Sequence, residues 1–255
     1  MKSKPTLKQI ISFIIFIVII LIANNFLKNY LLENKIDDYN IHLIYKILSN
    51  SVLGLVSFFV AKNLDLINLG GLSNTKPKKL WIIIFPLSFL VLLNGLFLNS
   101  IPDYSYINLA LLLLYCISIG FSEELSLRSV LLPLISNLFG NNKKAKIRAI
   151  FISSLIFGLL HLIKFDKGFY GEISQVLFAT FIGVMFGATL LVIKRVYPLI
   201  IIHAVIDFVA KLDLIGKPIK KVLSNPMDIE SAIFSVLLTL PCLFYGIYII
   251  KKHLK

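Results

Sequence analysis

Charge is scarce in this sequence. Asp, Glu, Lys and Arg make up 15% of the 255 residues, against about 25% in soluble domains. Apolar residues reach 58%, and mean hydropathy is +0.88. That balance excludes an ordinary soluble protein, and it equally excludes a disordered chain, which needs high charge and few apolar residues. Acids are scarcer than bases, 13 against 26, for a formal charge of +13. Cysteine occurs twice, as Cys116 and Cys242, each inside an apolar run. This argues against a disulfide framework and a cysteine metal site. CxxC, HExxH, a Walker loop and GxGxxG are all lacking, so no nucleotide cofactor is indicated. There is no internal repeat and no low-complexity segment apart from the apolar runs.

What is present is a series of eight apolar stretches: about Leu7–Leu27, Leu43–Ala61, Leu80–Leu98, Ile107–Leu132, Ile147–Ile163, Ile173–Ile193, Tyr197–Leu212 and Ala232–Ile250. At about 20 residues per span they fill most of the chain. The expectation is an all-α polytopic membrane helix bundle of about eight transmembrane helices, forming a single membrane domain over 1–255. The first stretch has the basic start of a signal peptide. Asn24 and Asn25 follow it instead of a small-x-small cleavage site, so it reads as a span.

With the N-terminus in the cytoplasm, the inner segments hold 16 Lys and Arg and the outer segments 8. That bias predicts an N-in, C-in arrangement. The positive charge is thus explained by orientation, with lipid as the partner and no role for nucleic acid. The cluster Lys76-Pro77-Lys78-Lys79 is expected to rest on anionic headgroups. Gly183 and Gly187 form a GxxxG pair, with Ala179 one turn earlier, which suits close helix packing.

Ionisable residues inside spans are costly and therefore informative. His42 and His253 lie at span ends and are expected to be solvated. Six others fall between residues 120 and 210: Glu123, Glu124, Arg128, His161, His203 and Asp207. Adjacent helical residues point about 100° apart, so Glu123 and Glu124 face different ways. Glu124 and Arg128 are spaced i,i+4 and can pair, which leaves Glu123 free for other work. Phe157 and His161 share a helix face, as do His203 and Asp207. Asp207 could therefore hold the tautomer of His203 or share a ligand with it. Such a set suits water activation or metal ligation. For Glu123 to meet the histidines, its helix must run from about Ile107 to Leu132, with Pro133 as a stop or kink. The stretch from Leu134 to Lys146 is then an inner interfacial connection.

These groups read Glu123-Glu124-x-x-x-Arg128, Phe157-x-x-x-His161 and His203-x-x-x-Asp207. In order and separation they resemble the CPBP family of intramembrane proteases, the CAAX proteases and bacteriocin-processing enzymes also called the Abi family. The resemblance covers about 105–215, the expected catalytic core. Two positions depart from the family pattern: Ser129 stands where Gly is frequent, and Asp207 where Asn is frequent. The resemblance implies hydrolysis of peptide bonds within the membrane. Glu123 would be the general base, His161 would hold the water, and His203 with Asp207 would stabilise the oxyanion. Glu124, Arg128 and Phe157 would support them. It also leaves a metal form open, with Glu123, His161 and His203 as a zinc set.

The expected substrate is a peptide or membrane-protein tail, with bacteriocin self-immunity or peptide maturation as the setting. The abundance of Ile, Lys and Asn points to an AT-rich bacterial genome, and so to a bacterial cell membrane. Two other readings compete. One is a catalytically silent scaffold or regulator of the same fold, which the filled motif positions disfavour. The other is a proton-coupled carrier, which the lack of a repeat disfavours.

Overall fold

The computed structural model describes residues 6–220 and 226–254. Lys2, Lys4, Lys221 and Lys255, part of the tally of basic residues, lie outside them. Each apolar stretch is a helix: α1 (Leu7–Glu33), α2 (Tyr39–Asn63), α3 (Leu80–Leu96), α4 (Tyr106–Leu138), α5 (Lys143–Ile163), α6 (Gly168–Ile193), α7 (Tyr197–Ala210) and α8 (Ile229–His253). Six are long and apolar enough to cross a membrane, while α3 and α7 are shorter apolar helices. No strand occurs among the described residues. The chain is an integral membrane protein, a helical bundle as expected.

Polar residues at the ends set where the helices start. Thr6 and Gln9 form a capping box for α1, and Ser105 and Asn108 one for α4. Asp38, Asn142 and Asp228 cap α2, α5 and α8 with side-chain acceptors. Each satisfies backbone N–H groups that the first helical turn leaves without a partner. Within lipid every backbone polar group must be paired, so these caps also mark where the chain returns to the interface.

The connections fall into two sets. Lys79 Nζ donates to His253 Nδ1 at 2.9 Å, and Val196 N–H donates to the Gly71 carbonyl. These contacts join the segments before α3, between α6 and α7, and at the end of α8. At the other end, Asn99 donates to Asp213, and Ile219 N–H to the Asp37 carbonyl. Contacts stay within each set, as alternating crossings require. His42 departs from expectation: it is fully buried, and its Nε2–H donates to the Ile36 carbonyl at 2.9 Å. The α1–α2 turn folds back over it, which removes it from solvent.

Helix α6 is the centre of the bundle, with two thirds of its apolar window buried. In lipid the drive for this is close packing rather than escape from water. A Cβ on Gly183 would lie 2.8 Å from the Ser154 side chain of α5. The same holds between α4 and α7, where a Cβ on Gly120 would lie 2.6 Å from the Ile200 carbonyl oxygen. Helix α1 is peripheral, with Ile10, Phe13 and Ile17 as its buried residues.

Helix α4 corrects the expected boundary. It continues past Pro133 to Leu138, and α5 begins at Lys143, so residues 134–138 are helix, buried as far as Ser136, rather than interfacial connection. The turn itself is residues 139–142, with positive φ at Gly140 and Asn141. Pro133 neither stops nor ends the helix because it occupies the first turn of a new α-helical register. Immediately before it, Glu124–Leu131 is wound as a π-helix. In that first turn the missing N–H is tolerated. Ser129, within the π segment, is buried, and its Oγ donates to the Gly70 carbonyl at 2.7 Å. The hydroxyl thus ties α4 to the loop after α2.

The two sets of connections give a direct test of orientation. A cysteine placed at Lys217 should react in intact cells with a membrane-impermeant maleimide, and one at Lys76 only after permeabilisation. The native Cys116 and Cys242 are buried and should give little background. The reverse pattern would invert the assigned orientation.

Candidate active site

Glu123 lies near the middle of α4, about 25 Å along the axis from Tyr106 and about 22 Å from Leu138. The i→i+5 winding starts at the next residue. Such windings insert an extra residue into a helix and occur often at functional sites. This one buries Glu124 and Arg128 completely or nearly so. Their i,i+4 pairing is present, with Arg128 Nε 3.3 Å from Glu124 Oε2. The guanidinium also lies over two aromatic rings, 5.1 Å from the Phe157 centroid and 5.6 Å from that of Phe186. A buried cation is stabilised by such faces. Phe157 therefore links the first motif to the second.

His203, on α7, meets both carboxylates. Its Nδ1 is 2.9 Å from Glu124 Oε1, and its Nε2 is 3.6 Å from Glu123 Oε2. An ionised carboxylate only accepts, so Nδ1 carries the proton in the shorter contact. Phe186 packs edge-on against the same imidazole at 5.8 Å. The absence of a side chain at Gly120 lets α7 approach closely enough for this contact, since a Cβ there would be 3.5 Å from His203 Cβ.

Glu124 thus does what the spacing had suggested for Asp207. Asp207 Oδ2 instead accepts from Lys211 Nζ at 2.9 Å. The reason is reach: Lys211 follows by one turn on the same helical path and supplies the opposite charge. His161 sits in the 3-10 turn that ends α5. Its Nδ1–H donates to the Phe157 carbonyl at 2.9 Å, which leaves Nε2 as the acceptor nitrogen of a neutral ring.

Glu123, His161, His203, Asp207 and Phe157 line one cavity of about 590 Å³. Glu123 keeps 31% of its side-chain surface exposed and His203 13%, whereas Glu124 has none. One carboxylate therefore faces the cavity and the other lies behind it. The cavity rises towards Lys28, Lys164, Lys167 and Lys211, the end of the bundle that the charge bias assigns to the outside. Outside the spans, burial lowers the affinity of the Lys167 ammonium for its proton, with Asp166 and Glu172 opposing that shift. Among the described residues, no three His, Cys, Asp or Glu side chains are grouped closely enough to hold a metal ion. The Glu123–His161–His203 set is not assembled as ligands in this arrangement.

Two contributors were not singled out in the sequence. Phe186 carries no motif; it is an aromatic next to the GxxxG glycine and reads as packing. Lys211 could have been found, because it stands i+4 from an acid in a span.

The buried pair predicts a stability pattern. Arg128→Met should destabilise the protein by about 3–5 kcal/mol, because it strands a buried carboxylate. Combining it with Glu124→Gln should restore most of that loss, as read by thermal unfolding in detergent. Equal melting of the single and double variants would contradict the pairing.

Residues 105–209 match the family model described as type II CAAX prenyl endopeptidase, Rce1-like. No curated protein and no solved structure matches the chain. The matched segment contains Glu123, Glu124, Arg128, Phe157, His161, His203 and Asp207, the residues on which the resemblance rests. The part of the chain that carries these seven residues therefore matches the CAAX-protease family, a family of peptidases, while Lys211 lies just beyond it.

Proposed function

We propose that this protein is an intramembrane endopeptidase that hydrolyses a peptide bond with a water activated by Glu123. One observation carries the reading: His203 lies between two carboxylates on the floor of a cavity inside the bundle, one buried behind it and one facing the space. That division assigns roles. Glu124, neutralised from behind by Arg128, fixes the imidazole. Glu123, which keeps part of its surface towards the cavity and touches only His203, is left to move protons.

In this mechanism a water sits between Glu123 and His161, whose Nε2 accepts one of its hydrogens. Glu123 takes the other proton as the water oxygen bonds to the peptide carbonyl carbon. The carbonyl π electrons move to oxygen. His203, protonated on both nitrogens, donates Nδ1–H to Glu124 and Nε2–H to that oxyanion. A donor placed for the oxyanion is worth about 3–4 kcal/mol. Glu123 then passes its proton to the amide nitrogen, and the C–N bond breaks. Asp207 contributes with Lys211 as an ion pair. Ionised, it has no hydrogen to donate, and the Lys211 ammonium supplies the positive charge at that edge of the cavity.

The substrate is a peptide or the tail of a membrane protein, reached from the lipid bilayer or from the open end of the cavity. Peptide maturation or self-immunity against a bacteriocin in a bacterial membrane fits this chemistry. A zinc form of the reaction, on Glu123, His161 and His203, would require those three to draw together.

Purified protein in liposomes should cleave members of a pool of quenched peptides and small membrane-protein tails. Glu123→Gln should lower the rate at least 10³-fold and His203→Ala about 10²–10³-fold, in line with the loss of a base and of an oxyanion donor. Activity should survive a chelator if the mechanism is that of the protein side chains. Loss on chelation with recovery on added zinc would establish the metal form, and cleavage that survives Glu123→Gln would overturn the assignment of the base.

A further inference from the structure

Asn94 is an amide inside the membrane that the mechanism does not use. It lies about 22 Å along α3 from Leu80, which follows Lys78 and Lys79 at the inner surface. The hydrocarbon core is about 30 Å thick, so the amide falls within it. A primary amide at that depth is costly unless it is paired. No hydrogen bond ties the Asn94 side chain to another described residue.

Its surroundings show what could pair with it. A second cavity, a cleft of about 210 Å³, lies between α3, α6 and α8. Asn94 and Phe178 line both this cleft and the main cavity, so these two side chains stand between them. The other lining of the cleft is apolar except for Ser235 and Thr239, and Thr239 donates to carbonyls of its own helix. Helix α3 packs on α7, and α6 on α5 and α8, so side chains complete the ring of helices at this seam. Two aromatic pairs span α3 and α8. Phe85 stacks on Tyr245 at 4.3 Å towards the inner surface, and Phe97 meets Phe234 edge-on at 6.3 Å towards the outer. Phe97 and Phe234 line the cleft and are each more than half exposed, which puts it at the lipid face.

A lipid-facing cleft that ends on an unpaired amide fits one kind of occupant. A peptide cut inside a membrane has to be unwound at the bond, and its bare N–H and C=O groups find no partner in lipid. A primary amide has both donors and an acceptor, so it can pair with both groups of a peptide unit. A lipid chain offers neither. We propose that the cleft between α3, α6 and α8 binds an extended segment of a bilayer-embedded peptide substrate, and that Asn94 pairs with its backbone at the entrance to the main cavity. This rests on the protease reading, which requires such a segment to reach Glu123. Recognition through the backbone makes no demand on polar side chains of the substrate.

Binding tests this apart from hydrolysis. The full chain carrying Glu123→Gln and Leu238→Cys, with bimane on the new thiol, would be placed in nanodiscs; Cys116 and Cys242 are buried and take up little label. Two peptides of leucine and alanine, each about 20 residues long with a Trp at the centre, supply the quencher. One is a continuous helix, and the other carries Gly-Pro beside the Trp, which breaks the helix. The broken peptide should quench saturably and bind about tenfold more tightly than the continuous one. Asn94→Leu should remove that preference and leave the continuous peptide within about twofold, whereas Asn94→Gln should retain most of it. Equal binding of the two peptides, or a preference that survives Asn94→Leu, would overturn the site. Quenching by nitroxide-labelled phosphatidylcholine that neither peptide displaces would make the cleft a lipid site and would also overturn it. Wild-type protein that keeps the preference but cleaves neither peptide would count against the protease reading and not against the site.

Discussion

A carboxylate with no exposed surface, halfway along a membrane helix, has to be compensated where it stands. Glu124 is that group, and much of the site is arranged around it. Arg128 supplies charge from one turn away, and His203 supplies a hydrogen bond from another helix. Arg128 in turn is buried, so it needs the faces of Phe157 and Phe186. Those rings come from α5 and α6. One buried charge thereby holds four helices in register around a single point. Breaking such a network is costly because each member left behind is an uncompensated polar group.

The same constraint explains the backbone. Regular α-helix would continue the 3.6-residue winding through Glu124 and Arg128. The π winding from Glu124 to Leu131 alters that phase over the two charged residues and Ser129, and the α-helix resumes at Leu132, next to Pro133. Ser129 anchors the altered turn to Gly70. Gly120 and Gly183 provide the close approaches that bring α7 to α4 and α6 to α5. Site and packing are one arrangement: helices packed closely at the charged core, and separated above it by a cavity of about 590 Å³.

Much of this was legible in the residues. Eight apolar stretches became eight helices because a chain in lipid must pair its own backbone groups, although only six of them have the length of a full span. The charged residues of the site stood out against mostly apolar neighbours, and the Glu124–Arg128 pair followed from i,i+4 spacing alone. Contacts between helices were not legible. Spacing places Asp207 on the face of His203, yet the partner of His203 comes from α4, and Asp207 turns to Lys211. His42 looked solvated because a span end is normally wet; the fold of the α1–α2 turn decides otherwise.

Glu124 and His203 couple two helices through one hydrogen bond. A double-mutant cycle on thermal and denaturant stability, with Glu124→Gln, His203→Gln and the pair, measures this without any substrate. The expected coupling energy is about 0.5–3 kcal/mol, the range for residues that share a hydrogen-bond network. Additivity within about 0.5 kcal/mol would mean that the two residues do not hold each other, and would contradict it.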